Sequence, residues 1–313
     1  MDELRRGEQN GFARGLDDAG IVFEREALLS RHTTIGLGGP AEFLVRPRSA
    51  DEIHTVLKLA TAGGLPVKVL GAGSNLLVSD AGVRGVVLST GALDHLRIDK
   101  AVEEGEGGGG IVDAGAGCHF PALVRQTASR GLRGLEAGVG IPGSLGGVLT
   151  MNAGAYQFAI GPLVEEVVAV SIERGKVLMP RQKIDFRYRA SSFGRGLIVC
   201  GARLALTPDE PAAIKADMDE HMRHRKQTQP VGVKSAGCIF RNPEGGSAGK
   251  LLDELGLKGF SVGGARLSEV HANFIVHDGG ANAEDVVGLI DAVRERVLQQ
   301  TAIELEPEVM TWS

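Results

Sequence analysis

Aromatic residues are scarce in this chain. They make up 4% of its 313 residues, with one tryptophan and two tyrosines. That is too few for the stacking platforms on which single-stranded nucleic acids lie. Positive charge is not in excess either: 34 lysines and arginines stand against 39 aspartates and glutamates, which argues against a duplex-binding surface. A local basic site for an anionic small molecule stays open. Cysteine is rare, and Cys118, Cys200 and Cys238 lie far apart with no C-x-x-C pair. Neither a disulfide framework nor a zinc site is expected, so no metal is predicted, and a reducing cytoplasm is the natural compartment. No apolar run approaches the roughly 20 residues of a membrane span. The charged start, MDELRRGEQNG, lacks the apolar centre of a secretory signal. These absences together predict a soluble cytoplasmic protein with no nucleic-acid partner and no membrane insertion.

Glycine is what the chain has in quantity. Six glycines and Pro142 fall within Gly138–Gly154, GVGIPGSLGGVLTMNAG. Each glycine loses more backbone freedom on folding than other residues, so such density points to close approach or to positive φ. A second turn of this kind, Gly71–Val78 (GAGSNLLV), directly follows the apolar run Val67–Leu70. Exposed backbone N–H groups in such turns can cradle phosphate oxygens; equally, both could be tight turns of an ordinary α/β domain. GAGSNL lacks the third glycine of G-x-G-x-x-G, and no Walker lysine is present, so neither a Rossmann nor a P-loop site is indicated.

Periodicity divides the remainder. Residues 1–20 read as a loose polar arm. Glu42–Val45 reads as a short strand, and Ser49–Glu52 as a capping box for a helix carrying Ile53, Val56, Leu57 and Ala60 on one face. Gly63-Gly64 stops that helix. Strands are expected at Val67–Leu70, Val83–Leu88, Ile111–Ala114, Val164–Glu173, Lys176–Met179 and Leu197–Leu206, with a helix over 120–130 and a hairpin tip in the glycine-rich run 103–110. Pro208 and Pro211 mark a boundary. Beyond it come a helix over 212–227 ending in Arg223–Lys226, a helix Gly249–Leu255, a strand Asn273–Val276, and a helix over 283–299 capped by Asn282. That last helix carries Val286, Ile290, Val293 and Val297 on one face, and Ile303–Val309 is strand-like.

Three further segments carry candidate chemistry. Phe186–Ser192 sets Arg187 and Arg189 around Tyr188. Lys234–Pro243 places Cys238 after a glycine with Asn242 four residues on. Leu305–Val309 leaves two carboxylates in an apolar strand. Taken singly, each also fits a bland reading: surface arginine pairs, a buried structural cysteine, a solvated strand edge.

From His32 to Val309 the chain resembles the UDP-N-acetylenolpyruvoylglucosamine reductase family. Ten motifs occur in order: HTTIGLGGPAEF, GAGSNLLVSDAGVRGVV, GVGIPGSLGG, MNAGAY, FRYRASSF, KQTQP, SAGCIFRNP, AGKLLDELGLKG, HANFIV and LEPEV. The resemblance implies an α+β protein. Its FAD-binding fold, of the vanillyl-alcohol-oxidase type, would occupy residues 21–207 in two subdomains, about 21–92 and 93–207. A C-terminal α/β substrate-binding domain would span 208–301, and residues 302–313 would return to the flavin site as a strand. Implied with it are non-covalent FAD, NADPH as hydride donor, a UDP-sugar enolpyruvyl ether as substrate, and a monomer.

By the same resemblance, Gly71, Ala72, Gly73, Ser74, Asn75 and Leu76, with Gly140, Ile141, Pro142, Gly143, Ser144, Gly146 and Gly147, hold the FAD pyrophosphate. Thr34, Asn152 and Ala153 lie near the flavin. Arg189 offsets carboxylate and enolate charge, Glu308 hydrogen-bonds or shuttles a proton, and Arg225, Lys226, Gln229 and Asn242 bind the sugar nucleotide. The family's usual proton donor is a serine where this chain has Cys238. A thiol, with an ordinary pKa of about 8.5, is the intrinsically easier donor. His32 departs from the family's common asparagine, and the segment between Ser192 and Leu197 is short, as in members lacking the tyrosine loop. Two rival readings remain: another FAD-dependent oxidase or dehydrogenase, with Cys118 or His119 as a covalent flavin tether, and a non-catalytic flavin or UDP-sugar sensor.

Overall fold

The computed structural model describes residues 2–100, 109–155, 158–193 and 196–313. The start differs from expectation, because the loose arm is a helix, α1 (Asp2–Asp18). Phe12, Ala13 and Leu16 form its buried stripe, and Phe12 meets Phe43 edge-on with ring centroids 5.0 Å apart. The glycines that make the segment read as coil serve packing here: a Cβ on Gly15 would lie 2.6 Å from Leu59 Cδ2.

Next come β1 (Val22–Leu28), β2 (Pro40–Arg46) and α2 (Ala50–Ala62). The Ser49 side chain accepts the Glu52 N–H, and the Glu52 carboxylate reaches back to the Arg48 N–H at 2.7 Å, one residue beyond the reciprocal capping-box bond to Ser49. Gly64 leaves the helix at φ 63°. β3 (Val67–Leu70), β4 (Leu76–Val78) and β5 (Val83–Ser89) follow, and one sheet has the order β1-β2-β5-β3, with β3 parallel to β5.

β6 (Leu96–Lys100) and β7 (Gly110–Gly115) flank the glycine-rich run, whose expected hairpin tip falls up to residue 108 outside the described residues. The chain continues through α3 (Phe120–Ser129), β8 (Leu132–Arg133), α4 (Leu145–Thr150), β9 (Gly154–Ala155) and β10 (Phe158–Ala159). α4 lies inside the glycine stretch, where its composition hid it. β11 (Val164–Ser171), β12 (Gly175–Pro180), β13 (Phe186–Arg187), β14 (Ala190–Ser191) and β15 (Ile198–Pro208) complete this part. A sheet in the order β12-β11-β15-β7-β6, antiparallel throughout with β8 also on β15, carries the larger core. Phe43, Ile53, Phe120, Leu149, Val167 and Leu204 belong to that core.

The last elements are α5 (Pro211–Thr228), α6 (Ala248–Glu254), β16 (Ser261–Val262), β17 (Ala265–Leu267), β18 (Ile275–Val276), α7 (Ala283–Thr301) and β19 (Met310–Trp312). As its periodicity predicts, α7 buries Val286, Ile290, Val293 and Val297, and Asn282 caps it in a full capping box with Asp285. The tail is not a strand over 303–309. The strand is β19, which pairs in parallel with β4, Thr311 opposite Leu77.

By contact, residues 26–42, 73–84 and 224–313 form one compact unit and the remaining described residues another. The chain passes between them within β1, β2 and β5, so the division does not fall at Pro208–Pro211, which marks only the end of β15 and the first residue of α5. Among the described residues no helix is long and apolar enough to cross a membrane. Among them also, no group of three or more His, Cys, Asp and Glu could hold a metal ion.

Candidate active site

In the first unit, β3 delivers its last residue, Leu70, to Gly71. A Cβ on Gly71 would lie only 2.6 Å from Ser144 Oγ. Ser144 sits at the start of α4, 4% exposed, and its hydroxyl makes no cap bond and has no hydrogen-bond partner among the described residues. Its backbone is fixed on both sides: Phe120 N–H donates to Gly143 O at 3.0 Å, Leu145 N–H to Cys118 O at 2.9 Å, and Gly146 N–H to Ala116 O at 2.8 Å. Gly140 and Gly143 have φ of 80° and 135°, which other residues rarely adopt. A buried hydroxyl left unpaired carries a desolvation penalty. With a glycine opposite, it fits a phosphate-bearing group better than a merely structural turn. A Cβ on Gly73, in the other unit, would overlap the His32 carbonyl oxygen, so that turn too tolerates only glycine.

Asn152 and Arg189 are two of the four non-glycine residues with positive φ among the described residues, at 41° and 51°. Both Asn152 side-chain ends are engaged: Nδ2 donates to Arg187 O at 2.9 Å, and Oδ1 accepts the Gly161 N–H at 3.2 Å. Asn152 thereby braces the β13–β14 hairpin. Arg189 stands at the tip of that hairpin with its guanidinium 5.3 Å from the Tyr188 ring centre, while Ser191 Oγ ties the hairpin to Thr150 O at 2.7 Å. Backbone strain that the surroundings hold in place is a frequent mark of functional sites.

Cys118 is committed to the fold. It is buried, its Sγ donates to the Asp94 and His95 carbonyl oxygens, and burial pushes its pKa up. His119 occupies the residue before α3.

In the second unit, a ladder joins the other candidates. Thr34 N–H donates to Gly73 O at 3.1 Å and Thr34 Oγ1 to Ser235 O at 2.7 Å. Asn75 Nδ2 donates to Glu308 O at 3.0 Å, and Met310 N–H to Asn75 O at 3.1 Å. Glu308 N–H in turn donates to Ile239 O at 2.6 Å, so Glu308 stands across the ladder from the residue that follows Cys238. Cys238 itself, half-buried, forms a bridge with Phe274. Buried Asn273 locks this strand, its Oδ1 accepting the Phe240 N–H and its Nδ2 donating to Phe240 O. Residues 242 positions apart in sequence, Ile35 and His277, also meet here: His277 Nε2 lies 2.6 Å from Ile35 O.

Lys226 and Gln229 line an open cavity of about 600 Å³ with Arg266 and Ser268. Sequence reasoning missed Arg266, which Asp278 holds through two bonds of 2.7 and 3.1 Å. Asn242 does not line that cavity; its Oδ1 accepts the Ala248 N–H at the start of α6. Arg225 lies with Lys226 in the last turn of α5. Thr34, Gly73–Leu76, Cys238 and Glu308 are therefore brought into one neighbourhood, and Gly71 and Ser144 into another.

Residues 41–178 match the family model "FAD binding domain", and residues 229–312 match "UDP-N-acetylenolpyruvoylglucosamine reductase, C-terminal domain". The UDP-N-acetylenolpyruvoylglucosamine reductase of Moorella thermoacetica is 42% identical over 284 residues, 91% of each chain. An enzyme of that name from Symbiobacterium thermophilum is 41% identical over 94% of this chain and 93% of its own. The crystal structure of the Thermus caldophilus UDP-N-acetylenolpyruvylglucosamine reductase superposes with a TM-score of 0.77 at 38% identity, covering 94% of this chain and 100% of that one.

Proposed function

Because this chain belongs to the UDP-N-acetylenolpyruvoylglucosamine reductase family, we propose that it reduces UDP-N-acetyl-3-O-(1-carboxyvinyl)-glucosamine to UDP-N-acetylmuramate, in the cytoplasm and as a monomer. The observation that carries this reading is identity of about 40% along nine-tenths of chains bearing that one name.

Non-covalent FAD is the cofactor and NADPH the reductant. Bound there, FAD would supply the hydride chemistry that links NADPH to the β-carbon of the vinyl ether. Ser144 Oγ and the glycine backbone of Gly71–Gly73 and Gly140–Gly147 would hold its pyrophosphate, with Ala72, Ser74, Asn75, Leu76, Ile141 and Pro142 completing those turns. Thr34, Asn152 and Ala153 would lie beside the flavin.

The rest of the chemistry falls to side chains. Hydride addition at the β-carbon leaves a carbanion at the α-carbon, delocalised into the attached carboxylate as an enolate that carries two negative charges. The Arg189 guanidinium offsets them, and a donor already oriented needs no reorganisation as charge develops. The Cys238 thiol gives its proton to the α-carbon, and the resulting thiolate is reprotonated from solvent. Glu308, across the ladder from Ile239, in its protonated form hydrogen-bonds the developing enolate or relays that proton. Lys226, Arg225, Gln229 and Asn242 hold the nucleotide diphosphate and sugar. A sensor would need none of this donor set. The covalent-flavin oxidase reading is disfavoured by the buried, inward-bonded Cys118.

An anaerobic absorbance experiment tests the reading. The purified protein should be yellow, bleach with NADPH and recolour when the enolpyruvyl sugar nucleotide is added, and acid should release the flavin. Recolouring by oxygen alone would support the oxidase, and a protein that cannot be loaded with FAD would overturn the proposal.

A further inference from the structure

We infer that His277 is a positioning residue for the reduction, holding the Thr33–Leu37 turn that links the flavin-side turn to the Cys238 strand. His277 is 5% exposed. Its Nδ1 accepts the Gly279 N–H at 3.1 Å, so the ring proton sits on Nε2, which donates to Ile35 O at 2.6 Å. Ile35 is fully buried and follows Thr34 directly.

Thr34 is the joint of this part of the unit. Its N–H is bonded to Gly73 O, and its hydroxyl to the carbonyl of Ser235, three residues before the thiol. Nothing inside the turn could replace the histidine. Thr33 Oγ1 is spent on Leu37 O, and Gly36, at φ 73°, leaves the backbone its widest freedom at the centre of the turn. The imidazole therefore adds a third tertiary bond to this turn, one residue beyond the two that Thr34 itself makes, and holds Thr34 from its other side. It touches no proposed reacting group and acts through Thr34.

The inference rests on the roles given above to Thr34 and Cys238, and its test reads the protein with and without FAD. His277→Phe keeps the ring volume and removes both bonds, whereas His277→Gln restores an N–H near the Nε2 position. Loss of this donor to a buried carbonyl should be felt as roughly a tenfold effect. In FAD-free protein, amide hydrogen exchange should quicken about tenfold at both residues 33–37 and 235–238 of the Phe variant, and hold near wild type in the Gln variant. In the loaded enzyme, the Phe variant should lose about tenfold in kcat with little change in KM for the sugar nucleotide, and Gln should recover most of it.

Faster exchange confined to 33–37 with kcat intact would overturn the inference, because the bond would then be merely structural. Equal behaviour of Gln and Phe would overturn it as well. If the Phe variant does not fold, the exchange pattern and kcat of the Gln variant against wild type decide: a tenfold loss in both despite the restored donor refutes it. A wild-type protein that never turns over would sink the proposed function while leaving the exchange result to stand or fall alone.

Discussion

Replacing Gly71 by alanine tests the cofactor cradle most directly. The new methyl carbon would lie 2.6 Å from Ser144 Oγ, about 0.8 Å inside ordinary contact. Gly71 has no positive φ, so the backbone accepts the change. Ser144 cannot retreat as a unit, because bonds at Gly143, Leu145 and Gly146 pin its backbone. Its hydroxyl must instead turn or strain, at a cost of about 1 kcal/mol, which for a chain of this size lowers Tm by roughly 1–2 °C. The effect on FAD should be larger. A hydrogen bond to a charged acceptor contributes about 1.5–3 kcal/mol, so a misdirected Ser144 Oγ should weaken FAD binding roughly ten- to a hundredfold.

The decisive comparison is a double-mutant cycle. Ser144→Ala removes the obstructing oxygen, so Gly71→Ala/Ser144→Ala should regain the Tm lost by Gly71→Ala alone while binding FAD no better than Ser144→Ala. Thermal denaturation of apo-protein and fluorescence titration with FAD measure both quantities. If Gly71→Ala or Ser144→Ala binds FAD as tightly as wild type, the cradle is not where the pyrophosphate lies.

Further tests address the chemistry and the pH response. Cys238→Ala should abolish sugar reduction while NADPH still bleaches the flavin, and Cys238→Ser should retain substantial turnover; full activity in the alanine variant would remove the thiol from the mechanism. Iodoacetamide near pH 8 should label folded protein at half-exposed Cys238 alone, because burial pushes the Cys118 thiol up and that of Cys200 to about 12. Rapid labelling of either buried cysteine by mass spectrometry would contradict that. Arg189→Lys should lower kcat more than flavin content, since lysine lacks the planar fork; unchanged kcat would exclude the assignment. Burial holds His271 below its ordinary pKa, so below about 6.5 the unfolded chain takes up a proton that the folded one refuses. Stability should therefore fall as pH drops from that value toward the folded pKa, and His271→Gln should flatten the slope in urea titrations. An unchanged slope would mean that His271 titrates alike in both states.

Much of the fold was legible in local pattern. The valines of α7 recur at helical spacing and Asn282 precedes them, so helix and cap follow from neighbours a few residues apart. Val67–Leu70 and the glycine turn after it announced themselves in the same way. α1 did not, because Gly7, Gly11 and Gly15 depress its helical character; packing on Leu59 and Phe43 overrides propensity there. α4 was likewise hidden by glycines. Motif order pointed to the reductase family, and the comparisons agree on that family.

What the sequence determined alone is the menu: which segments coil or extend, which backbone can bend through positive φ, and which residues carry a thiol, a guanidinium or a carboxylate. Only tertiary structure decided the pairings. Ser144 against Gly71, Glu308 against Ile239, and His277 beneath Ile35 join residues separated by tens to hundreds of positions. Periodicity reports burial within one element and says nothing of its partner. The pairing comes from which apolar faces close against one another, and from the need of each buried N–H and carbonyl to find a mate.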